Sequence, residues 1–253
     1  MLLGELFQWQ GPFRYAPLLG VAGGVVVSAA AIYMWRVLSH EAEVHPDRSL
    51  AFSCKCGSFT GRVRVPLQVT PSARCCCDDC VQFATWMEEE KASPVKMIHH
   101  RSVWMVQIFK QDMTVTSGSQ LVRRAQLLPS SPLSRLYTGC CNTPVGLVPK
   151  LSSYPFIICH MELFGEEGAA LLGPHSWALF TSRQYGTDEA LPEALTNNGQ
   201  AVSSRGLGHS FLFRVIFRVL YGLFRGKGKP DPTLDFPAHP VEYLKTADRK
   251  KGD

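Results

Sequence analysis

The sequence predicts a mainly β fold, in which an antiparallel β domain follows one membrane-spanning helix and precedes a C-terminal amphipathic helix. Segments in the middle of the chain alternate apolar and polar residues and are bounded by glycine and proline. An uncharged run near the N-terminus is long enough to cross a bilayer. Most of the nine cysteines fall into three tight groups. Such grouping indicates that the cysteines bind something rather than fill a core.

Length and composition limit the function classes. With 253 residues, the chain is long enough for one domain with appendages. Its composition, with 45% hydrophobic residues, excludes disordered, collagen-like and multi-span channel proteins. The net charge of +5 is mild and is not arranged as a basic stripe with exposed aromatic residues. We therefore expect no nucleic-acid partner. Nothing in the sequence indicates an oligomeric state.

Residues 15–35, YAPLLGVAGGVVVSAAAIYMW, form the predicted membrane-spanning helix after an N-terminal arm over 1–14. They carry no charge and would span about 30 Å as a helix. Aromatic residues near both ends suit the headgroup boundary. The alternatives are a buried helix and a cleaved signal or organellar presequence, although a signal peptide has a shorter apolar run and a small-residue cleavage site.

Flanking charge does not set the orientation of this anchor, because Arg14 and Arg36 place one positive charge at each end. The cysteines indicate the orientation instead. Clustered thiolates persist as metal ligands where thiols are kept reduced. We expect a single-pass membrane protein whose cysteine-rich domain faces the cytosol, matrix or stroma.

Beyond a polar linker over 36–48, the domain over 49–195 shows strand patterns. The strands predicted from them are TGRVRVPL, SVWMVQIF, MTVTSGSQLVR and YPFIICHM. Their spacing favours antiparallel pairing over βαβ units. The helical patterns are DDCVQFATWMEEE and LGHSFLFRVIFRVLYGLFR, the latter giving an amphipathic helix over 209–225 between a linker (196–208) and a basic tail (226–253).

The helix over 209–225 carries its charges on one side. Arg214, Arg218 and Arg225 lie within about 40° on a helical wheel, and apolar residues occupy most of the remainder. Such a helix requires an apolar neighbour. It either packs on the β domain or lies in the membrane interface with its arginines at phosphates.

The first and last cysteine groups predict a closed metal site. Cys54 and Cys56 are spaced C-x-C, so they cannot easily bridge each other but can present two sulfurs to one ion. A structural zinc takes four ligands, and Cys140 and Cys141 are the remaining pair. Two adjacent cysteines can hardly bind one metal ion without strain, so either Cys140 or Cys141 is expected to be the weaker ligand. The alternative for Cys54 and Cys56 is two small buried hydrophobic residues.

The central group predicts an open metal site. Cys75, Cys77 and Cys80 form C-x-C-x-x-C, which supplies three thiolates and leaves one position free, as in catalytic zinc sites. The alternative is a closed structural site completed by Cys76 or a histidine. Otherwise Cys76 is a free thiol or a packing residue.

Residues beside the central group have expected supporting roles. Asp78 or Asp79 is expected to cap the following helix, and the positive helix end favours a thiolate at Cys80. Arg74 is expected to offset the surplus negative charge of the site. His160 is expected to be a core residue with one hydrogen-bond partner.

The motifs CKCG, CCCDDC and TGCCNTP resemble the family of glutathione-dependent formaldehyde-activating enzymes and centromere protein V over residues 50–160. Members of that family carry C-x-C-G, then C-x-C-x-x-C, and finally C-x-x-C-G. Here Thr138 occupies the position of the first cysteine of the last motif, and Asn142 that of its glycine. Cys141 matches the second cysteine, and Cys140 is the substitute for the first. The arrangement is more similar to a branch with no assigned activity.

The resemblance implies a zinc-stapled β-tent domain with two zinc ions. It implies carbon-sulfur lyase chemistry, in which the small thiol glutathione combines with formaldehyde to form S-hydroxymethylglutathione. The chain is thus either a membrane-tethered zinc lyase or related thiol-handling enzyme, or a non-catalytic zinc module that binds a partner or a membrane surface. The implied structural ligands are Cys54, Cys56, Cys140 and Cys141, and the reactive, catalytic set is Cys75, Cys77 and Cys80.

Overall fold

A computed structural model describes residues 44–66, 72–150, 154–172, 175–224 and 240–244, with single positions 28, 32 and 226. The chain divides into two compact units, Met1–His40 and Glu41–Asp253, and the second is described below. The predicted membrane-spanning segment, 15–35, lies outside the described residues except at positions 28 and 32. Across the described ranges, no helix combines the length and apolar character needed to cross a membrane.

The second unit is mainly β, as predicted. Its described strands are β1 (Val44–Ser53), β2 (Thr60–Pro66), β3 (Ser72–Cys75), β4 (Ile98–His99), β5 (Ser102–Phe109), β6 (Met113–Ser117), β7 (Val122–Gln126), β8 (Leu133–Thr138), β9 (Pro144–Pro149), β10 (Phe156–His160), β11 (Trp177–Leu179), β12 (Val202–Ser203) and β13 (Val241–Tyr243). Its described helices are α1 (Asp78–Glu89), α2 (Gly165–Leu172), α3 (Ser182–Tyr185), α4 (Glu193–Thr196) and α5 (His209–Phe224).

The strands form two sheets in which antiparallel pairing dominates, as the turn spacing predicted. The smaller sheet has the order β1-β2-β6, and the larger has the order β12-β11-β3-β5-β10-β9-β8-β7-β13, with β4 paired to β5. Parallel pairs occur towards its edges, where β11 joins β3 and β12, and where β13 joins β7. Parallel neighbours need long connections, and these edge strands come late in the chain. The sheet therefore takes in two short strands from the segments assigned to a linker and the tail.

Strand alternation divides the domain into layers. Along β5, Val106 and Ile108 join the core between the two sheets, whereas Val103 and Met105 join a second core on the opposite face of the larger sheet. Phe83 and Met87 of α1 are buried in that second core. The larger sheet is thus covered by the smaller sheet on one face and by helices on the other.

Helix α5 packs on the larger sheet with its arginines turned inward. The Arg218 side chain is only 1% exposed, and its guanidinium lies 5.0 Å from the ring centre of Phe109 and 5.3 Å from that of Phe156. Gly222 permits this close approach, since an added Cβ would stand 2.8 Å from Phe109 Cε1. Packing on the β domain was one of the two expected arrangements. The buried side combines arginines with apolar residues such as Phe211 and Tyr221, because flat guanidinium groups stack well on aromatic rings.

The opposite side of α5 is apolar and exposed. Its exposed large hydrophobic residues are Leu212, Phe213, Ile216, Leu220, Leu223 and Phe224. Isolated apolar residues on a surface are ordinary, but this row follows one side of a single helix.

Candidate metal centres

Four cysteines meet where the loop after β1 approaches the β8–β9 hairpin. The Sγ atoms lie 3.5 Å apart for Cys54 and Cys56, 3.4 Å for Cys56 and Cys140, and 3.8 Å for Cys54 and Cys140. Cys141 Sγ is 3.9 Å from Cys140 Sγ, and all four sulfurs lie within 4.8 Å of one another. Sulfurs at the corners of a tetrahedron with zinc–sulfur bonds of 2.3 Å are about 3.8 Å apart. The four sulfurs therefore fit one closed metal site, with both adjacent cysteines at hand.

The hairpin that presents Cys141 is shaped by Thr138 and Asn142, the two residues that differ from the C-x-x-C-G motif that it resembles. Thr138 Oγ1 accepts a hydrogen bond from the Thr143 backbone N–H at 3.0 Å and lies 3.5 Å from Cys141 Sγ. Asn142 has a left-handed backbone (φ +53°), which asparagine adopts more readily than most residues. Its side-chain amide donates to the Lys91 carbonyl at 2.7 Å. Both replacements therefore have structural roles in the loop.

The acidity of this group is uneven. Burial raises the pKa of Cys140 to about 12. Burial also acts to raise the pKa of Cys141, but hydrogen bonds from Thr143 and Thr138 outweigh it and lower that pKa to about 6. A divalent cation would remove this difference because it stabilises every thiolate that it contacts.

The second group lies where β3 leads into α1. Cys75 ends the strand, Cys77 is the N-cap of the helix, and Cys80 lies in its first turn. Cys75 and Cys77 have their sulfurs 3.3 Å apart, and all three sulfurs lie within 4.8 Å of one another. Among the described residues, no fourth cysteine, histidine or carboxylate joins them at that distance. The group therefore fits a three-coordinate metal site that is open on one side.

Cys76 does not complete this group. Its side chain is fully buried and packs with Ala178, Tyr185 and Leu195 in a separate apolar cluster. Successive residues of an extended chain point to opposite faces, so Cys76 is directed away from its two neighbours. Cys76 is a packing residue, one of the two roles expected for it outside the metal site.

Charge in the second group concentrates on Cys77. Hydrogen bonds from Cys75 and Cys80 lower the pKa of Cys77 to about 3, and the nearby positive charge of Arg135 acts in the same direction. The same hydrogen bonds, together with burial, raise the pKa values of Cys75 and Cys80. In the absence of a metal these contacts favour the thiolate at Cys77, at the N-cap of α1, over Cys80 in its first turn.

Arg135 is the cation of this site. It comes from β8, is 1% exposed, and its Nη2 donates to the backbone carbonyl of Asp79 at 3.3 Å. The same nitrogen lies 4.0 Å from the Asp79 carboxylate. No local sequence signal pointed to Arg135, because sheet pairing alone brings β8 close to the start of α1.

A cavity of about 360 Å³ opens beside the three cysteines. Asp79, Gln107, Arg135 and Tyr154 contribute its other polar side chains. Most of the remaining wall is apolar and includes Leu147, Ile158, Leu179, Phe180, Phe211 and Val215. The open side of the cysteine group therefore faces a pocket large enough for a small organic molecule.

A family model described as a family of unknown function (DUF6151) matches residues 47–243. The chain belongs to the DUF6151 family. A crystal structure of a Rhodobacter sphaeroides protein is 12% identical, with 46% of this chain and 89% of that chain covered and a TM-score of 0.33. No functionally curated protein matches the chain. Membership of the glutathione-dependent formaldehyde-activating family is not shown.

Two expected supporting roles in this DUF6151 domain are corrected by the structure. Arg74 lies over the Trp104 ring at 4.7 Å and lines a different cavity, because strand alternation directs it away from Cys75. The helix cap is also different. Cys77 occupies the N-cap position without a side-chain cap, and Asp78 instead accepts a hydrogen bond from Gln184 at 3.1 Å.

His160 lies in the core of the DUF6151 domain, but without the expected hydrogen bond. Its ring stacks on Phe83 with centroids 5.9 Å apart and is almost fully buried. Neither ring nitrogen has a hydrogen-bond partner among the described residues. Burial, assisted by the charge of Arg135, lowers the pKa of His160 to about 3. The imidazole is therefore neutral at physiological pH.

Together the two groups give this DUF6151 chain one closed and one open arrangement of sulfurs, each of which could hold a metal ion. The closed group joins the first strand of the domain to the β8–β9 hairpin, so a metal there would brace the fold. The open group has a cation, a carboxylate and a cavity beside it. Such surroundings suit ligand binding rather than bracing alone.

Proposed function

We propose that this protein binds two zinc ions and uses the second, at Cys75, Cys77 and Cys80, to bind and activate a small thiol. The single observation that carries this proposal is that these three sulfurs converge beside a cavity with no fourth protein ligand among the described residues. The other group, by contrast, supplies four sulfurs. Zinc is favoured because both sets consist of thiolates and the closed one fits a tetrahedron.

The residues around the open group suit this role. A zinc ion with a free position lowers the pKa of a thiol that binds there. Buried Arg135 would balance the surplus negative charge of the thiolates, a role expected of Arg74. Asp79 lines the cavity and is half-exposed, so its carboxylate can take up the proton of an incoming thiol and pass it to water.

The reaction class that we propose is carbon-sulfur bond formation between a thiol and an aldehyde. The thiol sulfur adds to the carbonyl carbon, the carbonyl oxygen takes up one proton, and no group leaves. Support for this class comes from the C-x-C-G and C-x-C-x-x-C motifs and their resemblance to the glutathione-dependent family. Under the same proposal, residues 15–35 hold the protein in a membrane, with the zinc domain on a reducing side.

A second candidate function is a non-catalytic zinc module at a membrane surface. The exposed apolar row on α5 favours it, because such a face suits the boundary between headgroups and acyl chains. In this case the open cysteine group would hold a metal for stability alone.

The experiment that separates these functions is cobalt substitution of the full-length protein, followed by titration with glutathione or 2-mercaptoethanol. We expect two metal ions per chain and visible bands that shift when a fourth sulfur joins the open site. Cys77→Ser should lose one metal and the shift, whereas Cys76→Ser, the matched control, should keep both. Two bound metals with bands that no thiol moves would leave only the structural module, and no metal in reduced protein would end the proposal.

A further inference from the structure

The cavity beside Cys75, Cys77 and Cys80 has a polar end and an apolar end. The sulfurs, Arg135 and Asp79 lie at the polar end, where Arg135 donates to the Asp79 carbonyl. The walls supplied by β9, β10, β11 and α5 are formed by aliphatic and aromatic side chains, and Gln107, the strand partner of Ile158, and Tyr154 are the polar but uncharged residues beside them. A ligand that fills the cavity must therefore place most of its surface against hydrocarbon.

The polar end carries one cation and one carboxylate. Arg135 is 1% exposed, and its Nε and Nη1 have no hydrogen-bond partner among the described residues. The Asp79 carboxylate stands 4.0 Å from Arg135 Nη2 and would repel a second anion. Among the described lining residues, Arg135 and Asp79 are the charged groups apart from the cysteines.

From this arrangement we infer that the ligand of the open site is an apolar thiol rather than a charged peptide thiol such as glutathione. The sulfur lies at the three cysteines, and the hydrocarbon part packs against Ile158, Phe211 and Val215. On binding, the sulfur becomes a thiolate and one proton passes to solvent, with no electron transfer. Glutathione would bring two carboxylates and an ammonium group to apolar walls, and burying unpaired charges is costly.

This inference rests on the proposed thiol-binding function for the sulfur end only. The inference about the apolar end depends only on the residues that line it, so a ligand without sulfur can test it. Helix α5 offers a matched pair of positions for that purpose. Val215 lines the cavity, whereas its neighbour Ile216 is 47% exposed and lies on the outer side of the helix.

The test uses fluorine NMR of two probes with the full-length protein, 4-(trifluoromethyl)phenylmethanethiol and the corresponding benzyl alcohol, with glutathione as competitor. We expect the thiol probe to bind at least roughly tenfold more tightly than glutathione, the gain from burying an aromatic ring. Val215→Phe fills the cavity and should weaken both probes at least roughly tenfold, while Ile216→Phe should leave both unchanged. Because Ile216→Phe adds the same ring outside the cavity, it also accounts for probe that partitions into the detergent around the full-length protein.

Two outcomes would overturn the inference: glutathione binding as tightly as the thiol probe, or Val215→Phe leaving both probes unaffected. A different result would count against the proposed function alone. If the thiol probe binds no better than the alcohol while Val215→Phe weakens both, the apolar specificity stands and thiol binding at the cysteines fails.

Discussion

Individual side chains set the charge of the two cysteine groups. In the open group, hydrogen bonds from Cys75 and Cys80 and the charge of Arg135 favour one thiolate, at Cys77. The hydrogen bonds among the three cysteines, together with burial, raise the pKa values of Cys75 and Cys80 and so oppose a second and a third thiolate. Without a metal, the group would therefore hold mostly neutral thiols around one anion. Metal binding must release the remaining protons, so metal affinity at this group should fall as the pH falls.

The two groups should respond differently to loss of a ligand. Cys54→Ser should unfold or aggregate the domain, because a structural zinc supplies on the order of 10 kcal/mol in small modules. Cys77→Ser should leave a folded domain with one metal fewer, since β3 and α1 are packed by their own cores. Thermal melts by circular dichroism and elemental analysis measure both effects. Equal loss of stability in the two variants would argue that both sites are structural.

His160 should make stability depend on pH. Its pKa is lowered to about 3 in the fold, so between its ordinary value of 6.5 and about 3 the unfolded chain binds the extra proton. Stability that is present above pH 6.5 is therefore lost as the pH falls, by up to about 1.4 kcal/mol per pH unit.

His160→Phe keeps a ring against Phe83 and removes the proton site. Urea unfolding from about pH 7 to 5 should show wild type losing stability faster than this variant. Comparing the two cancels the acid lability of the metal sites, which both share. Parallel curves would contradict a buried, neutral imidazole.

Among the elements, those with clear periodicity could be predicted from the sequence. Alternation along β2, β5 and β10 and the helical patterns of α1 and α5 are local properties, and each element forms where its pattern lies. The edge strands β11, β12 and β13 are two or three residues long and carry no period of their own. They become strands only because a neighbouring strand is already in place. Helix α2 is also short, and no pattern marked it.

In the candidate site, too, the parts fixed by local sequence could be predicted and the parts assembled by the fold could not. The cysteine spacing predicted which sulfurs belong together, since ligands within one motif are fixed by local chain geometry. Arg135 and the cavity walls were missed because they come from β8 to β11 and α5, far apart in sequence. The inward arginines of α5 show a further limit. A helical wheel shows which side of the helix carries the charges, but it does not show whether the sheet presents aromatic rings to that side.

The contact between α5 and the sheet leads to a prediction at Gly222. Gly222→Leu should destabilise the domain by about 1–3 kcal/mol, because a side chain there would overlap Phe109 and Pro155. Leu223→Phe is the control, since Leu223 is exposed and tolerates added bulk. Chemical denaturation of both variants measures the difference. An unchanged midpoint for Gly222→Leu would mean that α5 does not lie this close to the sheet.

On the scale of the whole molecule, two parts of the chain support the proposed membrane attachment. The uncharged run over 15–35 has the length of a span, and the outer side of α5 carries a row of exposed apolar residues. The two proposed attachments would differ in strength. A spanning helix resists extraction, whereas an interfacial helix is held by a buried strip and released more readily.

Full-length protein should therefore stay in the membrane fraction after an alkaline carbonate wash, and a chain lacking residues 1–36 should be released by it. In the shortened chain, binding to lipid vesicles before the wash reports on α5 alone. Ile216→Glu with Leu220→Glu should abolish any such binding, since both residues lie on the outer side of the helix. Val122→Ala, a buried change elsewhere in the domain, controls for general loss of stability. Release of the full-length protein by carbonate would refute the span, and the apolar row on α5 would then be the attachment that remains to explain any membrane association.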